Sequence, residues 1–222
     1  MRKLLLATAA VVGLAASSGI AEAAVIDVWT GPNDGVLGKN LASKPNPTGL
    51  ASASMSYTGP IDFEDRQPFG SPNLFSTFFG ANAAGISGFS SPRGTYASEA
   101  AFLAATMSVP GDGTVSFLDI TGISYTSAST FAGSIDHDDG AQVFVDGAAI
   151  CGNPGEAAET VQPCSFPAGT HSVEILYAED NGAPAILTVA LPTAAPEPAS
   201  LALLGSALAG LGVFMRRRRK NA

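Results

Sequence analysis

The sequence predicts a mainly β protein, a single β-sandwich or barrel-like domain flanked by an N-terminal signal helix and a C-terminal single transmembrane helix. Three observations predict it. From residue 105 onward, strand-length alternating runs are broken by turn signals about every ten residues, the rhythm of an antiparallel sandwich. The chain holds 25 Gly and 15 Pro and few long helical patterns. An uncharged apolar run lies near each end, next to a group of cations.

At the N-terminus, Arg2 and Lys3 precede an apolar run over 4–16, and Ala21-Glu22-Ala23 supplies the small-x-small pattern that a signal peptidase reads. Residues 1–23 are therefore expected to be a signal peptide, with the mature chain starting at Ala24. The run is short and a cleavage site follows it directly, which disfavours an uncleaved anchor. An exported β-rich domain is expected over 24–193.

Within that domain, 25–29 alternates as a first strand. Residues 31–60 are rich in Gly, Pro, Asn and Ser and read as loops around one short strand near 55–57. The segment 74–79 reads as a strand or a helical turn, and 97–106 is Ala-rich enough for a short helix to compete with a strand. The run 106–109 meets Pro110-Gly111-Asp112-Gly113, a turn, and 114–120 returns as the second arm. Further strands are expected at 129–136, 141–146, 170–177 and 185–191.

The C-terminus closes with Pro196-Glu197-Pro198, a stretch of 17 residues without a charge over 199–215, and a basic tail over 216–220 that includes Arg216, Arg217, Arg218 and Arg219. That length is the short end of what crosses a bilayer as a helix. The cations behind it hold that end in the cytoplasm.

Seven of the 11 Lys and Arg belong to these terminal segments, leaving Lys39, Lys44, Arg66 and Arg93 against 17 carboxylates, a net charge of −13 for the exported part. Such a surface argues against nucleic acid, whose affinity rests on cations that neutralise phosphates, and against docking on anionic headgroups. It suits cation binding or neutral partners such as glycans. Cys151 and Cys164 both fall in the exported part, where an oxidising compartment favours a disulfide. Closing a loop of this size contributes roughly 3 kcal/mol in the chain-entropy model. The alternative, a metal site, lacks soft ligands nearby, His137 and His171 being the only histidines.

The potential site chemistry lies between residues 131 and 147. A strand ends in Asp136, Asp138 and Asp139, Gly140 allows a tight turn, and Val143-Phe144-Val145 starts back before a second turn at Asp146-Gly147. Three carboxylates within four residues raise one another's pKa unless a cation or full solvation intervenes. An oxygen-only set of Asp136, Asp138 and Asp139 suits Ca²⁺. An EF-hand is excluded by spacing, since counting from Asp136 puts glycine at the fifth position and Gly147 at the twelfth. The competing explanation is structural: aspartates cap turn amides and glycine permits positive φ, with no ligand. His137 reads as a solvated turn residue and His171 as an exposed strand residue.

Two resemblances add to these readings. The segment Pro196-Glu197-Pro198-Ala199-Ser200-Leu201-Ala202-Leu203-Leu204-Gly205, followed by the apolar run and the arginine cluster, resembles the PEP-CTERM sorting signal. This implies a sorting segment over 194–222, processing by signal peptidase and exosortase, transient anchoring in the inner membrane, and delivery to the cell surface or an exopolysaccharide matrix. The turn Asp138-Asp139-Gly140, the segment 143–147, the run 166–177 and Asn181-Gly182-Ala183-Pro184-Ala185 resemble the C-terminal half of a PA14 domain, over about 114–191. In some adhesin members of that family a pair of adjacent aspartates binds calcium and a sugar. The resemblance implies ligand binding at Asp138 and Asp139, with Asn181 as a nearby candidate, Ca²⁺ as cofactor and exopolysaccharide as partner.

No nucleophile elbow, Walker loop or dinucleotide fingerprint occurs, so no catalytic residue is assigned and the protein is not expected to be an enzyme. The expected function is that of an exported surface or matrix protein that binds polysaccharide with Ca²⁺. The alternatives are a purely structural matrix protein and, more distantly, a glycan-processing enzyme.

Overall fold

The computed structural model describes residues 23–32, 42, 47, 49–110 and 113–192. The expected signal helix over 1–23 (but for Ala23), the expected transmembrane span over 199–215 and the sorting residues Pro196 to Arg219 lie outside them. No helix among the described residues is long and apolar enough to cross a membrane.

Among the described residues thirteen strands run in chain order: β1 (Ala24–Pro32), β2 (Ala53–Tyr57), β3 (Asp62–Asp65), β4 (Asn73–Leu74), β5 (Ile86–Ser90), β6 (Thr106–Ser108), β7 (Thr114–Ser127), β8 (Phe131–Asp138), β9 (Gly140–Val145), β10 (Ala148–Asn153), β11 (Thr160–Phe166), β12 (Gly169–Glu179) and β13 (Ala185–Ala190). Two short helices, α1 (Phe75–Phe79) and α2 (Glu99–Leu103), settle the two ambiguous segments in favour of helix. Ser98 caps α2 by accepting from Ala101 N at 3.2 Å.

The strands form a seven-stranded sheet in the order β10-β9-β12-β7-β1-β2-β5 and a four-stranded sheet in the order β11-β8-β13-β3, every pairing antiparallel. Between them lies one apolar core. Alternation explains the inward faces: β2 reads buried, half-buried, buried, and β8 turns Ile135 and His137 inward. Strands β7 and β12 break the alternation with continuous buried runs, because a second cluster of Phe117, Phe144, Leu176 and Ala178, with Trp29 against it, covers the outer face of the larger sheet.

The N-terminal half supplies an aromatic block. Phe63 packs edge-on to Phe79 (4.9 Å between centroids), Phe75 lies against Phe102 (4.3 Å), and Phe78 stacks on Tyr177 at 5.4 Å and 9°. The segment between β3 and β7 thereby lies under strand β12, which carries Tyr177 and Glu179.

Three expectations change. The run 106–109 and the strand at 114 close their turn with one bond, Val109 N to Thr114 O at 3.0 Å, but β6 pairs with β4 as a separate ribbon. Strands β10 and β11 are additional, and each is an edge strand of its sheet, so Pro163 in β11 costs no ladder bond on its outer side. The disulfide Cys151–Cys164, with Cα atoms 5.2 Å apart, joins those two edges. Finally, 138–140 is not a hairpin: β8 belongs to the smaller sheet and β9 to the larger, so Asp138-Asp139-Gly140 is the corner at which the chain crosses between sheets.

Candidate functional site

The corner is walled by three loops from the same end of the sandwich: 66–72 after β3, 154–159 after β10 and 180–184 after β12. Gly140 is required there by close approach rather than by positive φ, since a Cβ would stand 2.5 Å from the carbonyl oxygen of Pro154. The Asp138-Asp139 peptide is cis, as is Ala183-Pro184.

Neither aspartate caps its own turn. Asp138 Oδ2 accepts from Glu159 N at 3.0 Å. Asp139, buried, accepts from Asp180 N at 3.0 Å, from Asn181 N at 3.2 Å and from Asn181 Nδ2 at 3.2 Å, and that same amide also donates to Glu156 Oε1 at 2.8 Å. The two carboxylates therefore tie the corner to two neighbouring loops. Asn181, a nearby candidate from its sequence position alone, is in direct contact with Asp139. Asp136 lies on the outer face of the smaller sheet, where its charged neighbours are Glu159, Arg66 and Glu64.

Two buried side chains hold the main chain of the corner from beneath. His137 is fully buried rather than solvated, because its position in β8 alternates inward; its Nδ1 donates to the Asp139 carbonyl at 2.6 Å. Its Nε2 is buried without a hydrogen-bond partner among the described residues. Tyr177 donates to the carbonyl of Asp138. Its hydroxyl also lies 2.8 Å from Glu179 Oε2, and one hydroxyl hydrogen cannot serve both oxygens. Burial, reinforced by Asp139, pushes Glu179 well above the usual carboxylate range. Glu179 is thus a neutral acid that donates to the Tyr177 oxygen, while Ser108 Oγ donates to Glu179 Oε1 at 3.1 Å and Asn73 Nδ2 to Ser108 at 2.9 Å. Burial also drives the Tyr177 phenol well up.

Electrostatically the site is starved of cations. Burial first, and then Asp139, pushes Asp138 up to about 6. Asp139 is raised by burial, against hydrogen bonds that lower it. Arg66 and Arg93 are the only Lys or Arg among the described residues. Arg66 is spent on Glu64 (2.8 Å) and Glu159 (3.0 Å), which lowers Glu64.

Oxygen-only donors, partly desolvated and mutually repelling, match the chemistry of a hard cation such as Ca²⁺. Among the described residues no three His, Cys, Asp or Glu side chains converge as a ready metal site. Two carboxylates would therefore have to be completed by main-chain, water or ligand oxygens.

His171 and Asp146 stand apart from this site, at the far end of β9, about 20 Å away for six residues of strand. Asp146 (φ 48°) and Gly147 (φ 81°) form the expected hairpin turn. His171 is half-buried, with Nδ1 2.7 Å from Asp146 Oδ2 and Nε2 3.0 Å from the Ala168 carbonyl. Both partners only accept, so both ring nitrogens carry hydrogen. The hydrogen bond to Asp146 raises His171 and holds Asp146 down at about 2.

The fold is that of PA14 domains. The crystal structure of the PA14 domain of the antifreeze protein MpAFP matches with a TM-score of 0.50 at 15% identity, over 77% of this chain and 81% of that one. A PA14 sugar-binding domain from an RTX adhesin aligns over 76% of this chain and 88% of that one, with a TM-score of 0.48 and 17% identity. The Epithelial Adhesin 9 A domain from Candida glabrata, in complex with Galb1-3GlcNAc, aligns over 76% of this chain and 80% of that one (TM-score 0.43, 12% identity). The likeness thus extends well beyond the 114–191 segment that the sequence suggested. No curated protein sequence matches the chain.

The tail is recognised independently. The family profile of the PEP-CTERM protein-sorting motif matches residues 194–219, so the chain carries that sorting motif behind a PA14-type fold. Such a motif implies export and sorting to the cell surface.

Proposed function

We propose that this is an exported surface or matrix protein, delivered through signal peptidase and exosortase, which binds neutral polysaccharide with Ca²⁺ at the Asp138-Asp139 corner. The observation that carries the reading is the placement of two adjacent, partly desolvated carboxylates at a sheet-to-sheet corner, each bonded to a different neighbouring loop. Had Asp138 and Asp139 capped their own turn amides, a purely structural role would have been the simpler account. Asp138, Asp139 and oxygen groups of the Asn181 loop would hold the cation, which would in turn offer open positions to vicinal sugar hydroxyls. Binding rather than catalysis is proposed.

The experiment is a glycan array probed with the full-length chain, with Ca²⁺ and with chelator, beside the Asp139→Ala variant. Ca²⁺-dependent retention that the variant loses is expected. Identical retention under all three conditions would sink the binding reading for this corner.

A further inference from the structure

We infer that Phe69 is an aromatic platform on which a second sugar ring stacks when a neutral glycan is held at the Asp138-Asp139 corner. This inference rests on the binding reading above and names the part of the glycan that the loops beside the corner would recognise.

Phe69 is 87% exposed, the only exposed aromatic side chain among the described residues. The other described phenylalanines are buried or half-buried, so nothing in the core accounts for its identity. Its position is built rather than incidental. Pro68-Phe69-Gly70-Ser71 is a β-turn closed by Ser71 N to Pro68 O at 3.0 Å, and Gly70 has the positive φ (81°) that the third position of a type II turn demands. Phe69 therefore sits at the apex, displayed to solvent by the turn geometry.

The turn is fastened at both ends. Asp65 accepts from Gln67 N at 3.2 Å, fixing its entry. At its exit Gly70 N donates to Ala183 O at 2.9 Å and Ala183 N to Ser71 O at 2.8 Å, a two-bond clamp onto the very loop whose Asp180 and Asn181 amides hold Asp139. Four residues and two hydrogen bonds thus separate the Asp139 carboxylate from Phe69, a path of no more than about 20 Å. A short oligosaccharide covers that length.

The chemistry selects the occupant. An aromatic face offers apolar contact to the C–H face of a pyranose and is held here without side-chain packing that it would have to surrender. Arg66, the cation in this loop, is already engaged by Glu64 and Glu159, so an anionic polysaccharide would meet carboxylates without a free counter-charge. A neutral glycan of at least two rings fits both features.

The test uses the full-length chain on an array of neutral monosaccharides and oligosaccharides in Ca²⁺ buffer, comparing wild type with Phe69→Ala, Phe69→Trp and Asp139→Asn. Phe69→Ala is expected to weaken oligosaccharide binding roughly tenfold, the affinity equivalent of losing one well-buried apolar contact, and to leave monosaccharide binding and the melting temperature unchanged. Phe69→Trp should restore the oligosaccharide preference, and Asp139→Asn should lose both. If Phe69→Ala binds oligosaccharides like wild type while Asp139→Asn does not, the platform is wrong and the corner reading survives. An equal loss on monosaccharides would also overturn the platform. If wild type retains no glycan, or Asp139→Asn behaves as wild type, the corner reading fails and the platform falls with it.

Discussion

Tyr177 donates its hydroxyl hydrogen to the main-chain carbonyl of Asp138, the residue that ends one sheet at the corner leading to the other. The same phenol stacks on Phe78, so an aromatic contributed by the N-terminal half is coupled to the main chain of the candidate site. A buried chain then runs from Tyr177 through Glu179 and Ser108 to Asn73.

Replacing Tyr177 with Phe keeps the ring and removes the hydroxyl, leaving the buried Asp138 carbonyl and the Glu179 carboxyl each short of a partner. Loss of about 1–3 kcal/mol of stability is expected, the usual cost of an unsatisfied buried polar group. Chemical denaturation measures it, and an unchanged midpoint would show that the hydroxyl bears no load.

Glu179→Gln should be tolerated, because an amide donates to Tyr177 as the protonated acid does. A folded-state pKa raised above the unfolded value contributes stability that is complete below the unfolded pKa and is lost as pH rises through the folded one. The variant should therefore gain on wild type as pH rises above the ordinary carboxylate range and through the raised Glu179 value, with any residual slope left to Asp136, Asp138 and Asp139. Parallel melting curves against pH for the two proteins would contradict a neutral Glu179.

Reducing Cys151–Cys164 frees the two sheet edges and the loop 154–159 between them, which carries the Glu159 amide to Asp138 and Glu156 to Asn181. A loss of roughly 3 kcal/mol is expected from the loop-closure term. Denaturation midpoints with and without reductant decide it.

Processing at the PEP-CTERM motif should leave a surface chain without its basic tail over 216–220. Intact-mass spectrometry of the surface fraction is the check, and recovery of an uncut C-terminus from mature protein would count against it.

Much of this was legible in local pattern. Alternation located β2, β8, β9, β12 and β13 to within a few residues, the arginine cluster located the sorting tail, and Asp138-Asp139 stood out as adjacent acids. Long-range partners were not legible, because periodicity says which face a residue takes but not which strand it meets. Hence the corner reads as a hairpin, although β8 and β9 join different sheets. His137 reads as a turn residue because the carboxylates around it mask the inward alternation of β8. Glu179 carries no local signal, because Ser108 of β6, which meets it in the core, lies far away in the chain. A weak signal for Phe69 was present, since Pro-Phe-Gly-Ser places an aromatic inside turn chemistry where a polar residue is the norm.

Calorimetric titration of Ca²⁺ into the full-length chain decides whether the Asp138-Asp139 corner takes the cation. Saturable binding near neutral pH is expected, lost in Asp139→Asn and weakening by up to tenfold per pH unit as pH falls below the raised Asp138 value of about 6, where a proton competes for the carboxylate. No saturable heat in wild type, or binding that Asp139→Asn retains, would contradict it.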